Sequence, residues 1–571
     1  MAALLILTIL LPLAGGISLL AGPKAFDRNT ARKIALATVL VTLAVGLPLH
    51  LAFDSSISGP QFAFGKSGAW GLPWIGSPDI RLAFGLDGLS LGLFSLTNLL
   101  MISAVCASWD SIQERVSLHY ALLLFLHSGL LGLFAALDVV LFYIFFEFTL
   151  IPLFFLIGIY GGPDRRKASV TLFVYTIVGG MLTLMGVLLL VALNAQHGPA
   201  QKLTFSIPEL TEGLRTMKWD PWLSESFWGW QTLIFLLLFA GFAIKVPLFP
   251  FHSWLPLAHV EAPTAGSILL AGVLLKVGGY GLIRFNLGMT PIGAKVLFPL
   301  LATLAVTGAI YGALAALAQK DIKRLVAYSS VSHMGIICLG LFALNSTGIS
   351  GAAIQMINHG LTTGALFACV GVVYERYHTR DMSALGGLWN RMPKLAFFLL
   401  TAALGSVALP GLNGFVGEFP ILVGMYDTSP VAGSLAATSM VLGAFYTFWM
   451  IQRVIFGSLR EPGHGHGTHL EPKHADHGHD AHGHGDTHAD GHHHDHEPIR
   501  IDPLKWHEIL GLTPLIVFIV LIGIRPGYFT RPLNGPIEKM AGAFSDSKEA
   551  PAKVAGKVAA PAGILIGSAS E

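Results

Sequence analysis

The sequence predicts an all-α integral membrane protein of about fourteen transmembrane helices. Three observations carry that expectation. Of the 571 residues, 53% are hydrophobic and 12% are charged, about half the charge of a soluble domain. Fourteen separate stretches reach the roughly 20 mostly apolar residues that a bilayer-crossing helix needs. None of them alternates in the way a barrel strand does.

The same composition excludes other classes. There are 35 Lys and Arg against 33 Asp and Glu, so a net charge of +2 offers no basic field for nucleic acid. Cys106, Cys338 and Cys369 each lie inside an apolar run. Their spacing suits neither a zinc site, a disulfide framework nor an iron–sulfur cluster, and no metal site is expected.

The spans lie near 3–21, 32–53, 82–106, 117–135, 139–158, 169–194, 231–255, 264–285, 295–317, 325–343, 350–374, 395–425, 431–456 and 506–524. The first has no basic residue before it and no small-residue cleavage site, so it reads as a retained helix rather than a secretory signal. Loop charge sets orientation. With the N-terminus outside, the inner loops hold most of the Lys and Arg, among them Arg28, Arg115, Arg165, Lys323, Arg376 and Arg380. The outer loops hold few, such as Arg81, Arg215, Arg284 and Lys295. An even span count then places both termini on the non-cytoplasmic side.

Spans 4–8 and 9–13 are both groups of five. Five is odd, so the second group enters the membrane from the opposite side, as in an inverted repeat. The organisation read from this is N-terminal helices in 1–116, a first repeat in 117–290 and a second in 291–456. A His-rich inner loop in 457–504, a last helix in 505–530 and a flexible tail in 531–571 follow. The loop carries 13 of the 23 histidines, from His464 to His496. Several imidazoles within reach of one another can bind Zn²⁺ or Ni²⁺ in vitro, but without fixed ligand spacing the segment reads as low-complexity insertion.

The fourth span of each group carries a break. The first reads Gly241-Phe-Ala-Ile-Lys245-Val-Pro247-Leu-Phe-Pro250-Phe-His252, the second Val407-Ala-Leu-Pro410-Gly411-Leu-Asn413-Gly414-Phe-Val-Gly417-Glu418. Proline removes a backbone donor and clashes with the preceding turn. The freed carbonyls are tolerated at membrane depth only where protein or water satisfies them. Two broken helices flanking polar cavities are therefore expected.

Four full charges sit deep in apolar spans: Glu147, Lys245, Lys276 and Glu418. Each costs at least about 2.5–3.5 kcal/mol at a helix centre unless it is paired or meets water. Glu147 in span 5 is the natural partner of Lys245 on the first break. Lys276 lies in span 8, and Glu418 follows the second break. His333 in span 10 and His359 in span 11 fill the gaps between them. A buried lysine with a movable carboxylate is a proton switch: it holds its proton while the carboxylate is near and releases it when the pair loosens. Histidine suits the relay positions. The competing reading is a set of static interhelical ion pairs, or for each histidine a satisfied interhelical hydrogen bond. Weaker candidates are His127 as interhelical glue and Asp138 as an interfacial residue. His252, His259 and Glu261 at the end of span 7 read as loop caps, and the adjacent Ala-Pro-Thr run as a shape for a water entrance.

The stretch from Lys245 to Lys276, with Phe-His-Ser-Trp-Leu-Pro-Leu-Ala-His-Val-Glu-Ala-Pro-Thr at its centre, resembles the signature of the antiporter-like subunits of respiratory NADH:quinone oxidoreductase, complex I. Within them it is most similar to subunit M, called subunit 4 in mitochondria. Leu404-Gly-Ser-Val-Ala-Leu-Pro-Gly-Leu-Asn-Gly-Phe-Val-Gly-Glu418-Phe is similar to the same subunit's broken span 12. The resemblance covers about residues 80–455. It departs from the usual bacterial pattern at Leu257, where an Asp often stands. Glu418 discriminates, because the sister subunits L and N and the related antiporters usually carry Lys there.

The resemblance implies fourteen helices with two inverted five-helix repeats and one proton channel driven by quinone reduction elsewhere. It implies Glu147 as the modulating carboxylate, Lys245 as the input-side lysine and Lys276 as the connecting lysine. His333 and His359 are then central relays and Glu418 the output residue. It implies no cofactor in this chain, with NADH, FMN, iron–sulfur clusters and quinone held by partner subunits. The partners are the other membrane-arm subunits, especially the L-type and N-type ones, and the location is a bacterial inner membrane. The rival readings are a subunit of a multi-subunit Na⁺/H⁺ antiporter and a purely structural spacer.

Overall fold

The computed structural model describes residues 1–22, 26–64, 70–76, 78–217, 229–462 and 502–545. The histidines from His464 to His496 and the tail beyond 545 lie outside the described residues.

The chain begins with α1 (Ala2–Ala21), α2 (Arg28–Leu51), α3 (Gly88–Ala107) and α4 (Val116–Ala135). Next come α5 (Val139–Tyr160), α6 (Arg165–His197), α7 (Ile207–Thr216), α8 (Trp230–Lys245) and α9 (Trp254–Glu261). The middle of the chain holds α10 (Thr264–Leu287), α11 (Pro291–Val296), α12 (Phe298–Leu317), α13 (Ile322–Phe342) and α14 (Ser346–Tyr377). The last group is α15 (Leu388–Arg391), α16 (Pro393–Ser406), α17 (Asn413–Thr428), α18 (Pro430–Val454), α19 (Trp506–Ile524) and α20 (Pro526–Ser545). Among the described residues, twelve helices are long and apolar enough to cross a bilayer, and α8 and α16 are apolar but shorter.

Acidic and amide caps set the helix starts. Asp87 accepts from the Leu89 and Ser90 amides, Asp138 from Val140 and Leu141, and Asp321 from Lys323 and Arg324. Asn345 accepts from Gly348 at the start of α14. Each satisfies donors that the first turn leaves orphaned.

The helices sort into an inner and an outer set. The apolar windows of α10 and α14 are 100% buried, whereas that of α2 is 28% buried. The inner pair pack close because small residues meet between them: a Cβ on Gly360 would strike the Gly272 carbonyl. Two segments of α10, Leu270–Leu274 and Leu282–Leu287, are wound as π-helix on either side of Lys276.

Both expected breaks are present. α8 ends at Lys245, and the chain turns through Pro247 and Pro250 before α9 begins at Trp254. The Trp254 indole N–H donates to the Ile244 carbonyl at 3.0 Å, taking up one of the carbonyls the break frees. α16 ends at Ser406, and the chain passes Pro410 and Gly411 before α17 starts at Asn413. Gly411 has φ +93°, a conformation that favours glycine. A Cβ on Gly414 would collide with the Gly405 carbonyl, so the two half-helices approach only through glycine.

The all-α class holds, and four details need correction. Leu72–Ile75 and Ile80–Leu82 form a small antiparallel hairpin in the loop after α2, so the span expected from 82 begins instead at Gly88. Arg284 lies in a π segment of α10 rather than in an outer loop. There it meets Asp87 at 2.5 Å and faces the Tyr280 ring at 5.1 Å, which offsets the burial of its charge. Lys295 is in the short helix α11. The tail expected from 531 continues as helix to Ser545, because Leu533, Ile537, Met540 and Phe544 recur on one face and are buried.

Candidate functional site

Four buried ionisable groups gather where α10, α13, α14 and α17 meet. Lys276, His359, Glu418 and His333 are 0%, 2%, 3% and 8% exposed. Their side chains form a sequence of polar steps. The Lys276 ammonium reaches back along α10 to the Ala271 carbonyl within the first π segment, where the helical ladder is shifted. Its Nζ lies 2.7 Å from His359 Nδ1. The His359 and His333 rings stand 5.4 Å apart between centroids, tilted by 44°. His333 Nδ1 lies 2.9 Å from Glu418 Oε1.

With Glu418 as a carboxylate, the network assigns the proton positions at its end. A carboxylate oxygen accepts, so His333 Nδ1 carries the hydrogen toward Glu418. His333 Nε2 then accepts from the Ser406 hydroxyl at 3.2 Å and the Tyr446 hydroxyl at 3.3 Å. Gln355 Nε2 donates to the same Glu418 oxygen at 2.9 Å. Asn358 Nδ2 donates to Gln355 Oε1 at 3.2 Å and to the Asn413 carbonyl at 2.8 Å, and Asn413 Nδ2 returns a bond to the Asn358 carbonyl at 3.1 Å. The second break is thereby bonded directly to α14. Gln355, Asn358, Ser406 and Tyr446 were not singled out from the sequence. An amide inside an apolar helix is the signal that would have found the first two.

Glu147 and Lys245 are arranged differently. Among the described residues no ion pair within 4.0 Å joins them, although each lies within electrostatic reach of the other. Lys245 Nζ stands over the Phe146 ring, 4.7 Å from its centroid, a cation–π arrangement. Glu147 Oε1 is buried without a hydrogen-bond partner. The expected direct pair is thus a facing pair, held apart by packing. Pro152 disturbs α5 at Thr149, just beyond Glu147, and Gly180 of α6 leaves the room that the carboxylate fills. Around this corner Phe146, Phe242, Phe285 and Phe142 form a chain of rings. Lys245 and Lys276 are not bonded to each other. They flank a tight contact in which a Cβ on Gly278 would strike Val246.

Of the weaker candidates, His127 Nε2 bonds Asn98 Oδ1 at 2.9 Å as interhelical glue. Asp138 is an N-cap. Among the described residues no group of three or more His, Cys, Asp and Glu side chains is placed to hold a metal ion, and the three cysteines are free and buried.

A family model described as NADH:quinone oxidoreductase/Mrp antiporter, TM, matches residues 136–443, which run from the end of α4 through both breaks into α18. The chain belongs to this family. NADH-quinone oxidoreductase subunit M of Rhodobacter capsulatus is 42% identical over 438 residues, covering 77% of this chain and 82% of that one. NADH-ubiquinone oxidoreductase chain 4 of Chondrus crispus is 39% identical over 457 residues, covering 80% and 88%. Among solved structures, a chain of respiratory complex I from Thermus thermophilus with bound NADH matches with a TM-score of 0.78 and 30% identity, covering 95% of this chain and 100% of that one. A chain of the Mrp complex from Dietzia sp. DQ12-45-1b matches with a TM-score of 0.72 at 19% identity, a likeness of fold. The expectation of an antiporter-family membrane protein akin to subunit M of complex I is borne out. As a family member the chain is a multi-pass membrane protein of an oxidoreductase complex.

Proposed function

We propose that this chain translocates protons as a membrane-arm subunit of a complex I-type NADH:quinone oxidoreductase. The observation that carries the reading is the run of polar steps from Lys276 through His359 and His333 to Glu418, enclosed within the bundle. Each step is a proton transfer between a donor and an acceptor and moves no electrons. Lys276 gives a proton to His359, His359 to His333, and His333 to Glu418, with ring rotation or one water bridging the two imidazoles. Glu147 and Lys245 set the state of the chain: moving the carboxylate toward or away from Lys245 changes the field felt by Lys276.

Moving one charge across the membrane costs about 2.3 kcal/mol per 100 mV. That energy reaches the chain through helix contacts with neighbours. The electron chemistry, with NADH, FMN, iron–sulfur clusters and quinone, belongs to partner subunits, and the L-type and N-type subunits are the natural neighbours. The Lys and Arg bias of the loops favours a bacterial inner membrane with both termini on the non-cytoplasmic side. The two groups of five helices, each with its break, serve as inverted repeats.

The test uses the intact complex in proteoliposomes. Lys245→Ala or Glu147→Ala should depress proton pumping and coupled NADH–quinone turnover by about tenfold, with the assembled complex unchanged in amount. Normal pumping in both variants would remove the roles assigned to them.

A further inference from the structure

The end of α9 is gripped from two sides. Val260, Glu261 and Ala262 follow one another in the chain, and their bonds alternate between the two groups of five helices. The Lys323 ammonium, on the second residue of α13, donates to the Val260 carbonyl at 3.3 Å and to the Ala262 carbonyl at 2.6 Å. The Arg380 guanidinium, just beyond α14, donates to the Val260 carbonyl at 3.0 Å. Glu261 between them faces the other way. Its carbonyl accepts from the Gly162 amide at 2.9 Å, and its Oε2 accepts from the Asp164 amide at 2.9 Å. The approach is close enough to need glycine: a Cβ on Gly161 would come within 2.8 Å of the Glu261 carbonyl oxygen, and one on Gly162 within 2.6 Å of Oε2.

A helix end leaves its last carbonyls without partners and carries the negative end of the dipole, so a cation is well placed there. Lys323 is 9% exposed, and main-chain carbonyls take its hydrogens. Asp321 steadies it, capping α13 through the Lys323 and Arg324 amides and meeting Arg380 Nε at 3.3 Å. The start of α13, the end of α14 and the end of α9 are thus one clamped body. The turn at 161–164 hangs from that body through Glu261. It joins α5 to α6, the helix that carries Glu147 to the helix whose Gly180 leaves room for the Glu147 carboxylate. At its other end α9 holds the lysine side: the Trp254 indole bonds the carbonyl of Ile244, the residue before Lys245. The eight residues of α9 therefore span from the Lys245 backbone to the turn that places Glu147.

We propose that Lys323 is a positioning residue for the facing pair: by clamping the end of α9 it sets, through Glu261 and Trp254, how far Glu147 stands from Lys245. The proposal rests on the proton-translocation reading above. Lys323 itself touches neither member of the pair and passes no proton to them. About 20 Å of helix runs from the turn to Glu147 along α5 and a similar length to Gly180 along α6, so a small shift of the turn is carried along both helices to the carboxylate. With the clamp in place, the pair keeps the spacing at which the Lys245 ammonium rests on the Phe146 ring.

The experiment is a double-mutant cycle in the intact complex reconstituted into liposomes, read as coupled NADH–quinone turnover and pumping. Lys323→Met leaves the α9 carbonyls without their ammonium and should lower both about tenfold. In a Glu147→Gln background, where the switch is already lost, the same change should cost less than about twofold, because the two residues act on one step. A merely structural role costs the same factor in both backgrounds. That result, or no loss in Lys323→Met alone, would overturn the positioning role. Wild-type turnover in Glu147→Gln alone would instead remove the switch itself. If Lys323→Met does not assemble, Gly162→Ala, whose methyl meets Glu261 Oε2, goes through the same cycle. A loss seen only where Glu147 is present is expected, and no loss or an equal loss in both backgrounds overturns the proposal.

Discussion

The Glu418 end and the Glu147 end of the buried chain solve the same problem in opposite ways. Around Glu418 the carboxylate and its nearest imidazole are bonded: His333 and Gln355 donate to one carboxylate oxygen, and Ser406 and Tyr446 serve the far nitrogen of His333. Around Glu147 the walls are phenylalanine, the lysine rests on a ring face, and one carboxylate oxygen has no partner. A bonded network holds its members in place. An unsatisfied charge in an apolar corner gains from any movement that finds it a partner. The first suits a conductor and the second suits a switch.

The sharpest way to break this contrast is to cut the conductor. His359→Leu removes the step between Lys276 and His333, and pumping should fall by about 100-fold or more, measured as pH-indicator quenching in proteoliposomes. A variant that still pumps would show that the proton does not pass through the bonded network. The switch should be gentler to alter. Gly180→Leu occupies the space of the Glu147 carboxylate and should reduce coupled turnover by a few-fold, while Lys276-dependent proton exchange persists. Equal damage from the two variants would erase the distinction between the ends.

Smaller effects test the frame around each end. Gly411→Ala places a side chain at φ +93° and should lower stability by about 1 kcal/mol, read as a lower midpoint of thermal unfolding in detergent. Near the Glu147 end, burial pushes the Asp138 carboxyl up to about 6 from 3.8, partly offset by the amides of Arg81, Val140 and Leu141. A carboxyl protonated more readily in the folded chain than in the unfolded one takes up a proton on folding. Its contribution to stability therefore falls as pH rises from 3.8 to about 6 and is constant above that window. Asp138→Asn keeps a capping oxygen and should flatten that slope in a thermal-shift series, with pumping unchanged.

Much of this was legible in the chain of residues. Long apolar runs give helices at the places expected, and Pro247, Pro250, Pro410 and Gly411 mark both breaks. Six ionisable residues stand out inside apolar spans because charge at that depth is costly, and four of them, Lys276, His359, His333 and Glu418, come together in the structure. Partner choice was less legible. Glu147 and Lys245 carry complementary charge, but Phe146 and the irregular turn at Thr149 decide how near they come. Gln355 and Tyr446 look like ordinary polar residues until α17 and α18 bring Glu418 and His333 to them. The helix Pro526–Ser545 was masked by Pro532 and Pro536, although Leu533, Ile537, Met540 and Phe544 already repeat with helical spacing.

The paired amides of Asn358 and Asn413 act as a rivet. Each side chain grips the other's main chain, so the snapped helix cannot slide without dragging its neighbour. Asn358 is the residue just before His359. A tug on the outer half of the snapped helix, from whatever subunit leans on it, is therefore delivered one peptide away from the imidazole that Lys276 holds.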